Sequence, residues 1–382
     1  MQNGLAIRVD PRYLNPRARE TYPSANLQAA CSPFWEASCG RYFDRVKPPR
    51  KILAIQFKSL GDAVMLIPSL QALREHFPES ELHVLTSKAA APLLQHHPAL
   101  TKVWILPRVR GRARIKNSWP VLRTLRAEKF DRSVDFGGND RGAIVSLLCG
   151  APVRLGISSP GGFFGRRFCY TNTIASAPQD RHESLRLFHI LSAWNIPLPP
   201  AVRPSLFTDP SLTAMASNLL PEGTILCHTG AGISKKEWPI AHWTALHRLA
   251  SSAGCRLAFS HGVGQREENN VLQLKSILPE AKILPPLTLA EFIAVLKQAR
   301  ALISNDTGPM HFAAALGVPV VALFGPTSVE KWSPLGEKVR VLRAEGCSCA
   351  PTLHDCQRAV PCMAGIGPEI VFRSLLEVID GD

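Results

Sequence analysis

The chain has 382 residues, 46% of them hydrophobic and 19% charged, so it is long enough for two folded domains and too apolar to be disordered or fibrous. Its formal net charge of +14 predicts attraction to an anionic partner such as nucleic acid, phospholipid head groups or a phosphorylated saccharide. No stretch approaches the ~20 apolar residues of a membrane span, and Arg8, Asp10 and Arg12 stand where a signal peptide would be apolar. We therefore predict a cytoplasmic protein that can touch the inner membrane as a peripheral partner.

Residues 1–50 contain six prolines and show no sustained periodicity, which predicts a poorly ordered extension. From residue 51 apolar strands alternate with helices. The predicted strands are 52–57, 82–86, 103–106 and 133–136. The predicted helices are 63–77, 90–97, 120–129, 143–148 and 183–194. This alternation is typical of a doubly wound parallel sheet.

Five prolines between residues 197 and 210 indicate a linker, after which the alternation starts again. The predicted strands are 224–228, 256–260, 282–284, 301–304 and 320–324. The predicted helices are 240–253, 269–278, 289–298, 310–316 and 368–379. We predict an α/β protein with two Rossmann-like domains, residues 51–205 and 206–382, facing a cleft at the carboxyl ends of their strands.

The segment 301–325 is the most informative part of the chain. An apolar strand runs into Asp306-Thr307-Gly308, Pro309 suits the first turn of a helix, and Gly317 suits its end. Asp306 or Thr307 can cap the free amides, and His311 lies in the first turn. Free amides and the positive end of the helix dipole make such a start a phosphate site.

Three motifs in the same order resemble the heptosyltransferases of glycosyltransferase family 9. They are FKSLGDAVMLIP at residues 57–68, HTGAGISKKEWP at residues 228–239, and the segment 301–325 followed by GPTSVEKWSP at residues 325–334. The resemblance covers residues 51–382. It implies the GT-B fold, with the acceptor on the N-terminal domain and the nucleotide on the C-terminal one. It also implies an inverting transfer that needs neither a metal nor another cofactor.

The resemblance assigns the catalytic base, which deprotonates the acceptor hydroxyl, to Asp62. A helix N-cap is the compatible structural role for Asp62. The resemblance assigns Lys236 to the donor pyrophosphate, although Lys235 makes that assignment ambiguous by one position. It assigns the ribose to Glu267, with Glu268 as the neighbouring choice, although the pattern departs from the family there. The donor nucleotide set is then Thr229, Gly230, Ser234, Lys236, Glu267, Asp306, Thr307, Gly308 and His311.

Residues 101–170 hold fourteen Lys or Arg and four acids, on the predicted acceptor domain. Because acceptors of the family carry carboxylates and phosphates, this region is expected to bind them. Arg154 matches a family basic position, and Arg110, Arg112 and Arg114 are the next choices. A solvated basic face is the alternative interpretation. The expected reaction is transfer of a heptose from its ADP form to an anionic lipopolysaccharide core.

Other interpretations remain open at this point. Another nucleotide-sugar could be the donor, and a non-enzymatic binder of nucleic acid would use the same basic stripe, although we expect no nucleic-acid partner. A Rossmann oxidoreductase would need a Gly-x-Gly-x-x-Gly that residues 57–62 do not supply. The cysteines 347, 349, 356 and 362 lack the spacing of a zinc knuckle, so no metal site is predicted.

Overall fold

In the computed structural model of the chain, the described residues are 48–107, 115–158, 161–178, 181–344 and 361–381. Nearly all of the expected N-terminal extension lies outside them. So do Arg110, Arg112 and Arg114, and three of the four clustered cysteines.

The first half forms a parallel sheet of six strands in the order β3-β2-β1-β4-β5-β6. The strands are β1 Lys51–Ile55, β2 Glu81–Thr86, β3 Lys102–Ile105, β4 Arg132–Asp135, β5 Val153–Ser158 and β6 Asn172–Ala175. The helices are α1 Leu60–His76, α2 Ile115–Ala127, α3 Asp140–Leu148 and α4 Glu183–His189. The strand order reverses between β1 and β4, and ligands of such sheets bind in the crevice beyond those two strand ends.

The second half repeats this architecture in the order β12-β11-β10-β7-β8-β9. The strands are β7 Ile225–His228, β8 Leu257–Ser260, β9 Lys282–Ile283, β10 Ala301–Asn305, β11 Val320–Phe324 and β12 Val339–Arg343. The helices are α5 Thr213–Leu219, α6 Ile240–Ser252, α7 Gln265–Ile277, α8 Leu289–Gln298, α9 Gly308–Ala315, α10 Val329–Trp332 and α11 Pro368–Asp380. Here the order reverses between β7 and β10, so these strands flank the second crevice.

Helices α1 and α9 pack against each other and join the two halves. Their apolar side chains, including Met65 of α1 and Phe312 of α9, belong to one shared buried cluster. Hydrogen bonds also join the halves: His182 Nε2 donates to Ser333 O at 2.9 Å, and Arg203 donates to the Glu337 carboxylate. The carboxyl ends of both sheets are therefore held at a fixed interface, and the prediction of two Rossmann-like halves is confirmed.

Several element bounds differ from the predictions. The helix predicted at 63–77 begins at Leu60, because Ser59 caps it. The helix predicted at 183–194 continues only as a 3-10 turn from Ile190 to Trp194. Strands β5, β6 and β12 and helices α5 and α10 were not predicted, and the helix predicted at 90–97 is only a 3-10 turn, Ala91–Leu93. Across the described ranges, no helix combines the length and the apolar character needed to cross a bilayer.

Candidate functional site

Asp62 lies at the start of α1, directly beyond the carboxyl end of β1. Ser59 is the N-cap, and its backbone N and Oγ donate to Asp62 Oδ2 at 3.1 and 2.5 Å. The amide of Asp62 points back to Ser59 Oγ at 3.4 Å, which completes a capping box. Asp62 is therefore the third helical residue and not the N-cap that the sequence suggested. Among the described residues no donor bonds to Asp62 Oδ1, so Ser59 holds the carboxylate by one oxygen, and Asp62 is 7% exposed.

The turn that carries Asp62 touches the other half of the molecule. A Cβ atom built on Gly61 would lie 3.4 Å from His311 Cδ2, so the imidazole ring packs directly on the Gly61 backbone. Burial, with the nearby charges of His182 and Lys236, lowers the pKa of His311 to about 3. His311 is therefore neutral at physiological pH, and it brings α9 next to the residue before Asp62.

The start of α9 has the chemistry of an anion site. The helix begins at Gly308 with Pro309 in its first turn, as the sequence predicts. Thr307 is the N-cap, but no side chain caps the helix, so the expectation that Asp306 or Thr307 would cap it is wrong. The free amides remain available to a ligand.

Asp306 instead forms an ion pair across the crevice between β7 and β10. Its Oδ2 lies 2.8 Å from Lys236 Nζ, and the Asp306 side chain is 6% exposed. Lys236 ends a short 3-10 turn, Ser234–Lys236, in the loop after β7. The pair holds the Lys236 ammonium at the residue that precedes the N-cap of α9, and the choice of Lys236 over Lys235 for the donor pyrophosphate stays a prediction.

Asn305, which the sequence analysis did not single out, joins the loop after β7 to the end of β10. Its Nδ2 donates to Thr229 O at 2.8 Å, and its Oδ1 accepts from Trp238 N at 3.1 Å. Thr229 Oγ1 already donates to Ser260 O at 3.3 Å, so donation of the Thr229 hydroxyl to a ligand oxygen would require that bond to break. Ser234 is half-buried in the same loop.

Glu267, in the first turn of α7, reaches the same loop. A Cβ on Gly262 would lie 2.1 Å from Glu267 Oε2, and one on Gly230 would lie 2.8 Å from Oε1. The carboxylate thus rests on two glycine backbones, at a distance that a side chain at either position would prevent. Its neighbour Glu268 is exposed. The structure therefore brings Glu267, Gly230 and the Lys236 loop together at one edge of the second sheet.

Arg154, the first choice for the acceptor, does not join Asp62. It is the second residue of β5, towards the amino ends of the strands, whereas Asp62 lies beyond the carboxyl end of β1. Its guanidinium donates to the carbonyls of Ala151 and Cys169, both at 2.8 Å. These bonds give Arg154 a structural role at the sheet. Arg110, Arg112 and Arg114 lie outside the described residues, and their acceptor role stays a prediction.

Other polar residues lie nearer to Asp62 and were missed. Gln56 follows β1, is 1% exposed, and its Nε2 has no hydrogen-bond partner within the described part of the chain. Lys58 Nζ lies 3.5 Å from Glu183 Oε1, and Arg186 bonds the other oxygen of Glu183 at 2.5 Å. A polar residue directly after an apolar strand could have identified Gln56 from the sequence. The Lys58–Glu183 pair joins residues 125 positions apart, so no local sequence pattern could have predicted it.

A buried carboxylate, that of Asp135, lies at the end of β4, one of the two strands that flank the first crevice. Asp135 ends β4, accepts from Tyr170 Oη at 2.6 Å and from Gly137 N at 2.9 Å, and is fully buried. Burial outweighs these bonds and raises its pKa to about 6. A Cβ on Gly142 would lie 2.3 Å from the carboxylate, so the glycine lets α3 start directly above it.

In the ranges that the structure describes, no group of three or more His, Cys, Asp or Glu side chains is placed to hold a metal ion. Of the four clustered cysteines only Cys362 is described, and it is buried.

The family model for glycosyltransferase family 9 (heptosyltransferase) matches residues 119–362, which is more than half of the chain. The chain is 27% identical over 315 residues to lipopolysaccharide heptosyltransferase 1 of Pseudomonas aeruginosa, covering 79% of this chain and 86% of that protein. The structure resembles that of Escherichia coli ADP-heptose lipopolysaccharide heptosyltransferase II with a TM-score of 0.72 at 21% identity, covering 87% and 99% of the two chains. It also resembles an Escherichia coli heptosyltransferase with ADP, with a TM-score of 0.69 at 20% identity, covering 86% and 99%.

The two parallel sheets and their arrangement match these heptosyltransferase structures, so the fold is of the GT-B type. Together with the family match, this means that the chain belongs to glycosyltransferase family 9, the heptosyltransferases, and is a glycosyltransferase.

Proposed function

We propose that the protein transfers a heptose from ADP-heptose to an anionic acceptor of the lipopolysaccharide core, with inversion at the anomeric carbon. The observation that carries the proposal is the contact between Gly61 and His311, which brings the turn that carries Asp62 next to the first turns of α9. A base and an anion site next to each other are the two parts that a direct displacement needs. The donor and acceptor names come from the heptosyltransferases that the chain resembles.

In the proposed reaction the acceptor hydroxyl oxygen attacks C1 of the heptose. The bond between C1 and the β-phosphate oxygen breaks, and ADP leaves from the opposite face. The hydroxyl proton passes to Asp62 Oδ1, the oxygen that Ser59 leaves free. Ser59 is a positioning residue, because its two hydrogen bonds fix Oδ2 and so fix the direction of Oδ1.

Negative charge develops on the diphosphate as ADP leaves. Lys236 is suited to neutralise it, and the free amides at Thr307 and Gly308 are suited to bind its oxygens. Asp306 is itself negative and would repel a phosphate, so we assign it the task of orienting Lys236 through their 2.8 Å ion pair. Glu267, resting on Gly230 and Gly262, is suited to accept a ribose hydroxyl.

Acceptor anions require cations in the first half. Lys58 lies four residues before Asp62, and its side chain is 38% exposed, so it is our first candidate. Arg186 shares Glu183 with Lys58 and is the second. The unpartnered Nε2 of Gln56 is a donor for an acceptor oxygen in the same crevice.

The donor class can be tested with the wild-type chain. The proposal predicts a thermal shift with ADP-sugars and none with UDP- or GDP-sugars, followed by heptose transfer to a core saccharide. A shift with UDP- or GDP-sugars alone would instead favour another nucleotide-sugar as donor. The Lys58→Met variant should raise the KM for the acceptor without changing the affinity for ADP.

A further inference from the structure

The segment that follows β5 exposes three phenylalanines. The exposed fractions are 39% for Phe163, 103% for Phe164 and 65% for Phe168. Gly162 and Gly165 turn the chain there with φ values of 109° and 88°, a conformation that other residues rarely adopt. Three water-exposed aromatic rings within six residues of the chain indicate a binding surface.

Helix α3 extends this apolar area. Its Ala143 packs with Cys169 and Tyr170, directly after the phenylalanines. Ile144 and Leu147, one turn apart on α3, are 44% and 43% exposed. We call the five residues Ile144, Leu147, Phe163, Phe164 and Phe168 the aromatic surface.

The surroundings of the aromatic surface are basic. The Arg167 guanidinium lies 4.8 Å from the Phe168 ring, and Arg126 donates to Leu148 O at 3.4 Å, next to Leu147. Helix α3 and residues 161–170 contain three arginines, Arg141, Arg166 and Arg167, and a single acid, Asp140. That acid lies 3.4 Å from Arg166 and is therefore compensated.

We propose that the aromatic surface docks on a bilayer that contains anionic phospholipids. Aromatic rings favour the boundary between acyl chains and head groups, and arginines beside them favour lipid phosphates. A protein partner with an acidic apolar face would suit the charge, but a bilayer also suits the position of the surface. Strands β4 and β5 run towards the same sheet edge as β1, and α3 and the phenylalanines follow their carboxyl ends.

Docking would therefore bring the edge that carries Asp62 close to the bilayer. This deepens the proposed function, because a lipid-linked acceptor would be presented at that edge. The interaction itself needs no turnover, and it can be tested separately.

The test is co-sedimentation of the full chain with phosphatidylcholine vesicles, with and without phosphatidylglycerol. Wild type should pellet with the anionic vesicles only. The double variant Phe164→Ser/Phe168→Ser should bind at least about tenfold more weakly, since two rings lose their burial in the bilayer. The control Val263→Ser removes a 93% exposed apolar residue from the second half and should bind as wild type does.

Three results would overturn the inference: no wild-type binding to anionic vesicles, equal binding by the double variant, or a wild-type dimer that the double variant abolishes. The last would make the aromatic surface a contact between copies of the chain. Transfer to a soluble, delipidated core saccharide separates the two proposals. The double variant should keep wild-type rates there. If neither chain transfers heptose while wild type still binds anionic vesicles, the proposed function alone is refuted.

Discussion

Replacing Lys236 with methionine tests the donor site most informatively, because the structure gives Lys236 two tasks. Its Nζ lies 2.8 Å from Asp306 Oδ2, and Asp306 is 6% exposed. The Coulomb attraction of such a pair is about 6 kcal/mol at an effective dielectric constant of 20. Desolvation offsets much of it, but removing one partner leaves a buried charge uncompensated. Because 23% of the Lys236 side chain is exposed, we expect the free energy of unfolding to fall by about 2–3 kcal/mol.

The second task is binding of the diphosphate. A charge-assisted hydrogen bond contributes about 1.5–3 kcal/mol, so Lys236→Met should weaken ADP binding by roughly 10–100-fold. The double variant Lys236→Met/Asp306→Asn removes the orphaned carboxylate as well. It should recover most of the lost stability, and it should bind ADP better than the single variant but worse than wild type.

Urea unfolding and ADP titration calorimetry measure these two effects separately. Lys338→Met is the matched control, because Lys338 is an exposed lysine of the same half. It should change the free energy of unfolding by less than about 0.5 kcal/mol and leave ADP binding unchanged. Unaltered ADP affinity in Lys236→Met would refute the phosphate role, and a double variant no more stable than the single one would refute the ion-pair argument.

Two further predictions concern the same half. Gly262→Ala places a Cβ 2.1 Å from Glu267 Oε2, so the carboxylate must move and ADP affinity should fall by about tenfold. The control is Gly232→Ala, where a Cβ meets no atom within 4 Å. Equal ADP affinities of the two variants in calorimetry would contradict the role of the Glu267 contact. Burial lowers the pKa of His228 and of His311 to about 3, below the unfolded value, so the folded chain binds fewer protons and loses stability as the pH falls below about 6.5. Each histidine should lower the free energy of unfolding by about 2 kcal/mol between pH 7 and pH 5. If the free energy of unfolding of His311→Gln in urea falls with pH as steeply as that of wild type, this reasoning is wrong.

The sequence predicted the second half well apart from β12, α5 and α10, because its other strands are short continuous apolar runs between glycines and prolines. The segment 301–325 is the clearest case, since Pro309 and Gly317 mark the ends of α9 within two residues. It predicted the sheet edge of the first half poorly. Strands β5 and β6 are only partly buried and carry polar residues such as Arg154, so neither is a continuous apolar run.

Contacts that depend on packing between distant segments had no sequence signal. The placement of His311 on Gly61 follows from the packing of α1 against α9, and the bond from His182 to Ser333 joins residues 151 positions apart. The capping box at Ser59 and Asp62 has a local sequence signal, a Ser-x-x-Asp pattern at the start of α1. Local chemistry was therefore predictable, whereas the assembly of the site was not.

Asp62→Asn tests the central claim most directly. The variant keeps the size of the side chain and an oxygen that can accept from Ser59, but it removes the base. We predict that heptose transfer falls by at least about 10²–10⁴-fold, while ADP affinity measured on the same preparation stays within about twofold, because the donor site lies in the other half. Transfer at the wild-type rate would contradict the assignment of the base and, with it, the proposed mechanism.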